Sequence, residues 1–351
     1  MNNIVPYSGS RNSPIALIGE APGAVENLKL QPFMGPAGKV LGECLSSAGL
    51  IRSDCYMDNI INVKPESSLS EFVVFGKSGV VEKEGFKFHK EKLKSRLLRT
   101  SANVIVALGK TATYALIGRT DITKCRGSIY DSTLLPGRKV IPTIHPASVL
   151  YQTRSREVSG AGGGPYEYKY IIAVDLQKAF KESKFPEIIS VKREYIINPT
   201  FKESMEFLSE CKNPKRNLPV ALDIEVLRQQ IYCISFAPNE NIAISIPFMK
   251  GESPYFSIEE ELAIWKSIAS ICNDKSIKKL GQNIHFDNTF IFNSYNILSY
   301  PMLDTMTAFG MLYPDMPKGL DFIASTMTDI PYYKDEGKEY MTSIFTMQRT
   351  L

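Results

Sequence analysis

The sequence has no Cys-x-x-Cys pair. Its six cysteines, Cys44, Cys55, Cys125, Cys211, Cys233 and Cys272, are scattered along 351 residues, which argues for a reducing compartment and against both a disulfide framework and a cysteine-only zinc site. Long apolar runs are missing as well. The longest, such as Ile15–Ile18 and Val104–Leu108, fall far short of the roughly 18 residues of a membrane span, so no membrane partner is expected. The first residues, MNNIVPYSGSR, lack the basic-then-apolar layout of a secretory leader, and with the reduced cysteines this predicts a cytoplasmic protein. There is no internal repeat and no complete phosphate-binding loop. Gly109-Lys110-Thr111 follows an apolar run, but that pattern needs a glycine at the position of Val104.

A large net charge is also missing: 41 Lys+Arg stand against 37 Asp+Glu, for +4. The balance is uneven along the chain. Residues 1–190 carry 25 basic and 17 acidic side chains, whereas residues 191–351 carry 16 and 20. A basic half followed by an acidic half suggests one part that meets a polyanion and one that collects carboxylates around metal ions. What the sequence does have is apolar material: 44% hydrophobic and 22% charged residues exclude pervasive disorder and collagen-like or coiled-coil architectures. The length accommodates two ordinary domains.

The first half alternates apolar runs with amphipathic stretches, and this implies a mostly parallel sheet covered on both faces. Strands are expected at 14–18, 56–63, 103–108 and 140–144, and helices at 37–48, 87–99, 110–117 and 170–181. Residues 66–86 resemble an insertion without a period, and Ser159–Gly164 a flexible loop. A boundary is expected near 184–194. The second half predicts helix 201–211, three successive strands at 218–227, 231–237 and 241–247, helix 258–272, a strand near 279–282 and helix 287–295. Two different α/β domains follow, at residues 1–185 and 193–351.

Active sites of open α/β sheets lie at the C-terminal ends of strands. Three expected strand ends carry special residues: Gly19-Glu20-Ala21-Pro22-Gly23, Asn59, and His145-Pro146. A fourth piece, Pro32-Phe33-Met34-Gly35-Pro36-Ala37-Gly38, places an aromatic before a helix. Each alone reads as a turn, a cap or a structural His-Pro. Their joint order, with Glu26, Ala107-Leu108-Gly109, Arg126-Gly127 and Thr143-x-His145-Pro146-Ala147, resembles the uracil-DNA glycosylase superfamily, nearest its family 4 branch.

That resemblance covers roughly residues 13–182. It implies a three-layer α/β/α fold that flips uracil out of DNA and cuts its N-glycosidic bond. It assigns Phe33 to stacking and Asn59 to reading the uracil edge, beside Gly19 at the start of the motif. His145 is implied as the donor to uracil O2, and Glu20 as the acid that orients water or stabilises the cationic sugar. Val149, Leu150 and Tyr151 are implied as a wedge into the vacated stack. The family 4 branch usually holds a 4Fe–4S cluster on four cysteines. Here no cysteine precedes Cys44, and the later positions fall on Val63 and His89, so no 4Fe–4S cluster is predicted.

The second constellation is acidic. Asp223 and Glu225 alternate in an apolar strand, are expected to face one side inside a core, and are joined downstream by Asp287 and Asp304. Such carboxylates suit two divalent ions acting on a phosphodiester. Asp223-x-Glu225, Gly281-Gln282-Asn283-x-x-x-Asp287, Asp304-Thr305-Met306 and Lys318-Gly319-Leu320-Asp321 resemble the 3′–5′ exonuclease domain of family A DNA polymerases. This implies an RNase H-like (DnaQ-like) fold with Mg²⁺ or Mn²⁺ held by Asp223, Glu225 and Asp287, and with Asn283 in the substrate-binding motif. The third motif of that family, Tyr-x-x-x-Asp, is absent. Tyr332, Tyr333 and Tyr340 are followed four places on by Glu336, Gly337 and Ile344. The exonuclease domain is therefore expected to be incomplete at its C-terminus and weak or inactive alone.

The combination resembles the N-terminal part of a bacteriophage polymerase, which would place it in host cytoplasm. DNA is the expected partner, with a polymerase subunit or domain on a separate chain. Two readings stay open: an enzyme that excises uracil, and a binding module that keeps the pocket to sense uracil or hold template.

Overall fold

Alternate residues of the first strand serve two different cores. In β1 (Ile15–Gly19), Ile15 and Leu17 join one apolar cluster and Ala16 and Ile18 another. A strand buried on both faces needs helices on both sides, and this is why the run reads as unbroken hydrophobicity. The computed structural model describes residues 3–150, 165–189, 192–213 and 218–330. Two compact units emerge: Met1–Ile188 together with the chain from Asp315 on, and Ile189–Pro314.

In the first unit, β1, β2 (Tyr56–Asn59), β5 (Val104–Leu108) and β7 (Lys139–Thr143) are parallel, with β6 (Tyr130–Asp131) antiparallel at one edge, in the order β2-β1-β5-β7-β6. On one face lie α2 (Pro36–Ser47) and α6 (Pro165–Glu182), whose Leu41, Leu45, Ile172 and Leu176 pack against Ile15, Leu17 and Val106. On the other lie α3 (Glu84–Leu97) and α4 (Lys110–Ile117), whose Phe86, Leu93, Leu97 and Leu116 pack against Ala16, Ile18 and Ile105. The result is the three-layer α/β/α arrangement. The short helices α1 (Ala24–Lys29) and α5 (Ile122–Cys125) sit in connections.

Two expectations need adjusting here. The second strand stops at Asn59 rather than Val63. The stretch 66–86 holds a hairpin, β3 (Val73–Gly76) and β4 (Gly79–Glu82), paired from Val73–Glu82 to Gly76–Gly79. Its strands are short and mostly half-exposed, so they carry little period for sequence to reveal.

The second unit is a mixed sheet in the order β15-β14-β9-β10-β11-β8. It contains β8 (Glu194–Ile197), the antiparallel meander β9 (Val220–Leu227), β10 (Gln230–Asn239) and β11 (Ile242–Pro247), a small hairpin β12 (Met249–Lys250) and β13 (Ser253–Pro254), and the parallel edge β14 (Lys279–Gly281) and β15 (Met302–Asp304). Helices α7 (Phe201–Cys211) and α8 (Ile258–Asn273) open with capping boxes at Thr200/Glu203 and Ser257/Glu260, which satisfy otherwise orphaned amides. Their Leu208, Ile264, Trp265 and Ile268 cover Val220, Leu222, Ile224 and Ile234. Helices α9 (Ile284–Tyr295) and α10 (Thr305–Leu312) follow β14 and β15. This is the RNase H-like arrangement. The last described helix, α11 (Leu320–Met327), falls in the range that the sequence pattern assigns to the second half, yet it belongs to the first unit. Its apolar face says that it docks, not where.

Candidate functional site

The ends of β1, β2, β5 and β7 bring the first constellation together. A Cβ on Gly19 would stand 2.6 Å from Phe33 Cζ and nearer still to Asn59 Oδ1, so glycine here lets ring and amide meet over the end of β1. Gly109, just past β5, has φ +92°, and a Cβ there would lie 2.8 Å from Glu20 Oε1 and 2.9 Å from His145 Cβ. Glu20 and His145 therefore flank one glycine, in a backbone conformation that L side chains avoid.

Each of these side chains has its own support. Glu20 Oε1 accepts the Thr111 N–H at 3.0 Å in the first turn of α4, where an acid meets the positive end of the helix dipole. His145 Nδ1 accepts the Ala147 N–H at 3.2 Å, and an imidazole whose Nδ1 accepts carries its proton on Nε2. Burial pushes the His145 pKa below its ordinary value, against the opposing pull of Glu20, so the neutral ring is favoured. Asn59 is buried, and its backbone is gripped twice: its N–H donates to Asp58 Oδ1 at 2.8 Å and its carbonyl accepts from Arg96 Nη2 at 3.1 Å. Asp58, itself buried, takes hydrogen bonds from Arg96 Nε at 2.6 Å, the Tyr56 hydroxyl at 3.1 Å and Asn62 Nδ2 at 3.1 Å.

Phe33 is held in a left-handed conformation, φ +56°. Glu26 fixes the loop by accepting the N–H groups of Gly23, Met34 and Gly35 at 3.1, 2.9 and 2.7 Å. Arg52 clamps the same loop from Nη2, to the carbonyls of Pro32 at 3.1 Å and Phe33 at 2.7 Å. Sequence reasoning missed Arg52, Asp58 and Arg96. A charged residue inside strand β2 was the available signal for Asp58; nothing local marks Arg96 as its partner, or Arg52 as the partner of the Phe33 loop.

Of the residues implied as a wedge, Val149 is 2% exposed and part of the core, and Leu150 is partly buried against the same cluster. Both are bound into the fold by apolar packing. Tyr151 and the Ser159–Gly164 loop lie outside the described residues.

In the second unit, alternation along β9 sends Leu222 and Ile224 into the core and leaves Asp223 and Glu225 exposed on the opposite face. The expectation that these acids lie inside a core is therefore corrected: the apolar run surrounds them in sequence, not in space. Asp287, at the start of α9, is only 4% exposed, and its Oδ1 accepts the Ile224 N–H at 2.9 Å. Asp287 thus sits against the strand residue between the two acids. Although both residues are exposed overall, partial desolvation by the surrounding protein pushes Asp223 and Glu225 above the usual carboxylate range, with the charge of Asp223 adding to the effect on Glu225. Asp287 is pushed up to about 6, chiefly by burial and then by the neighbouring acids, against the hydrogen bond from Ile224. Asn283 is exposed, with φ +56°, and donates its N–H to Asp304 Oδ1 at 2.9 Å. Asp304 also caps α10 through the Met306 N–H at 2.8 Å, so its carboxylate is engaged in backbone capping. The residues of the missing third motif, Tyr332, Tyr333, Glu336, Gly337, Tyr340 and Ile344, lie outside the described residues.

Hard oxygen donors with raised pKa fit Mg²⁺ or Mn²⁺ in chemistry, although among the described residues no three His, Cys, Asp or Glu side chains stand in a metal-holding arrangement. An iron–sulfur cluster does not fit the residues present. The cysteines of the first unit are buried singly on different elements, Cys44 against the Lys169 carbonyl, Cys55 against the Ile51 carbonyl and Cys125 on α5. His89 packs edge-on to Phe72 and Phe88, at centroid distances of 5.6 and 5.5 Å. No helix among the described residues is long and apolar enough to cross a membrane.

A family model for the uracil DNA glycosylase superfamily matches residues 6–160, and one for a 3′–5′ exonuclease matches residues 196–345. A type-4 uracil-DNA glycosylase of Archaeoglobus fulgidus is 36% identical over 161 residues, 44% of this chain and 76% of that protein. The Thermotoga maritima type-4 enzyme is 32% identical over 179 residues, 50% and 81% respectively. A DNA polymerase of Bacillus phage SP01 is 23% identical over 223 residues, 63% of this chain but only 21% of the polymerase. Among solved structures, Escherichia coli RNase D aligns with 42% of this chain and 36% of its own, at 20% identity and a TM-score of 0.30, too slight a likeness to argue from.

Proposed function

The chain belongs to the uracil-DNA glycosylase superfamily and carries a 3′–5′ exonuclease domain of DNA polymerase type, and from that premise we propose that its first unit excises uracil from DNA by flipping the base into the pocket around Gly19 and Gly109. The observation that carries the reading is the convergence of Glu20, Phe33, Asn59 and His145, from four separate segments, on those two glycines.

The chemistry follows from the residue types. A flipped base loses its stacking, and the face of Phe33, fixed by Glu26 and Arg52, replaces it. The Asn59 amide reads the polar edge of the ring. As the N-glycosidic bond breaks, negative charge grows on the uracil, and a neutral Nε2–H of His145 stabilises it without first surrendering a proton. Glu20 stays beside the sugar, where a carboxylate favours the developing cation and orients the attacking water. DNA binding is supported by the basic balance of residues 1–190.

In the second unit, Asp223, Glu225 and Asp287 would hold Mg²⁺ or Mn²⁺, which supplies a polarised phosphodiester and an activated water. With no Tyr-x-x-x-Asp between Asp321 and Leu351, these three acids lack the group that would orient the attacking water and hydrolysis by them is slow, and a DNA polymerase domain is the partner that fits.

The test is incubation with a uracil-containing oligonucleotide, scored for abasic sites. Their formation by the parent chain and loss in His145→Ala supports the reading. If the parent forms none while still binding uracil-DNA, and His145→Ala binds no differently, the glycosylase reading falls in favour of a binding module.

A further inference from the structure

Beneath the strand that leads to His145 lies a buried ionic network that the pocket chemistry leaves unused. Asp175 on α6 is fully buried. It takes two hydrogen bonds from Arg126, one from Nε at 3.0 Å and a shorter one from Nη2, and a third from the Thr143 hydroxyl at 2.7 Å. Thr143 is the last residue of β7, two before His145. The neighbouring Gly127 N–H donates to the Pro142 carbonyl at 2.9 Å, again on β7. The backbone at Gly127 has φ +70°, and a Cβ there would lie 2.6 Å from Asp175 Oδ1 and 2.9 Å from the Ser325 carbonyl. The pair is built against the strand end with no room to spare.

The far side of the guanidinium is closed by α11. Arg126 Nη1 donates to the hydroxyls of Ser325 at 2.9 Å and Thr326 at 3.5 Å, and its plane lies over the Phe322 ring, 5.4 Å from the centroid. The Ser325 hydroxyl donates in turn to the Phe322 carbonyl at 2.9 Å, which leaves its lone pairs facing Arg126. Lys178 then caps the C-terminal end of α11, donating to the carbonyls of Ser325, Thr328 at 2.6 Å and Gly127 at 3.1 Å, where a cation also meets the negative end of the helix dipole. Yet α11 lies inside the stretch that matches the exonuclease family model.

We infer that Ser325, Arg126 and Asp175 are positioning residues for uracil excision, a buried relay through which α11 fixes Thr143 and so the end of β7 from which His145 projects. The inference rests on the glycosylase reading above. Its physical basis is that a buried guanidinium–carboxylate pair holds its geometry only when every donor and acceptor is satisfied. Removing the Ser325 hydroxyl leaves Nη1 short of an acceptor, and removing that of Thr143 frees the strand end from Asp175.

The experiment uses the full chain. Ser325→Ala and Thr143→Val should each lower kcat for uracil excision about tenfold, the weight of one lost buried hydrogen bond, with KM for uracil-DNA held within about twofold. Thr143→Ser, which keeps the hydroxyl and loses only a methyl, should recover kcat. Amide exchange at residues 139–145 should quicken in Ser325→Ala. Parental kcat in both Ser325→Ala and Thr143→Val overturns the relay, and so does an equal loss in Thr143→Ser, which would assign the effect to packing. If the parent chain excises no uracil, the glycosylase reading fails separately. The relay is then decided by exchange alone: quickening at 139–145 in Ser325→Ala upholds it, and unchanged exchange overturns it.

Discussion

The two candidate sites solve opposite electrostatic problems. The pocket of the first unit gathers groups that do not need a counter-ion: a neutral imidazole, an amide and an aromatic ring, with Glu20 the one acid among them and already bonded to the Thr111 N–H. Each is held by a neighbouring hydrogen bond or loop contact. The acids of the second unit face one another with little besides the Ile224 N–H on Asp287 to compensate them, and all three are driven above their usual pKa range. One set of groups is satisfied by the protein; the other keeps carboxylates of the kind that suit a divalent cation. That difference teaches where each is fragile: the first through its supports, the second through charge.

The strongest break in the comparison is His145→Ala. It should cut excision by roughly 10²–10³, the range seen when a donor to developing negative charge is removed, while any Mg²⁺-dependent shortening of a 3′ end proceeds as before. Parallel abasic-site and 3′-end assays check it, and a matching fall in 3′-end hydrolysis would mean that the two sites are not separate. Next in size is Glu26→Gln. The carboxylate accepts three backbone N–H groups, and an amide can accept from its oxygen alone, leaving at least one partly buried donor unpaired at about 1 kcal/mol or more. The Phe33 loop should loosen and KM for uracil-DNA rise about tenfold, with the acids of the second unit untouched. An unchanged KM would show that Phe33 is held by Arg52 alone.

The pocket was legible because its chemistry sits at strand ends, and strand ends are readable from short apolar runs. Glu20 follows β1 directly, Asn59 ends β2, and His145 stands two residues past the end of β7. Their supports were not, because Arg52 and Arg96 meet Phe33 and Asn59 through contacts distant in sequence. Burial of Asp223 and Glu225 was misjudged for a related reason: period-2 alternation puts them opposite Leu222 and Ile224, yet an apolar run alone does not say which face is covered. The docking of α11 against Arg126 was invisible, since amphipathic spacing identifies a buried face but never its partner.

The pH responses should carry opposite signs. His145 is depressed, so the unfolded chain takes up its proton first, and stability falls as pH drops below about 6.5. Asp287 is raised to about 6, so its stabilising contribution is present at low pH and lost as pH rises through that value. Mg²⁺ should therefore raise Tm at pH 8 by a few degrees, and the gain should shrink below pH 6. Asp287→Asn should abolish most of it. A gain that persists in Asp223→Asn/Asp287→Asn would place the ion elsewhere.

The smallest expected effect tests the first unit's outer surface rather than its pocket. Helix α3 exposes Lys87 and Lys92, with Lys83 just before it and Arg99 just after it also exposed, and Lys92 lies over the Phe88 ring at 5.4 Å. If this face follows a DNA backbone, each cation that meets a phosphate contributes about 0.9 to the slope of log affinity against log salt. Lys92→Gln/Arg99→Gln should flatten the slope by up to about twice that amount and leave kcat unchanged, because neither side chain touches the pocket groups. Filter binding across a salt series reads the slope directly. A slope identical to the parent's would remove α3 from the DNA interface and leave the basic balance of residues 1–190 to be explained by another face of the sheet.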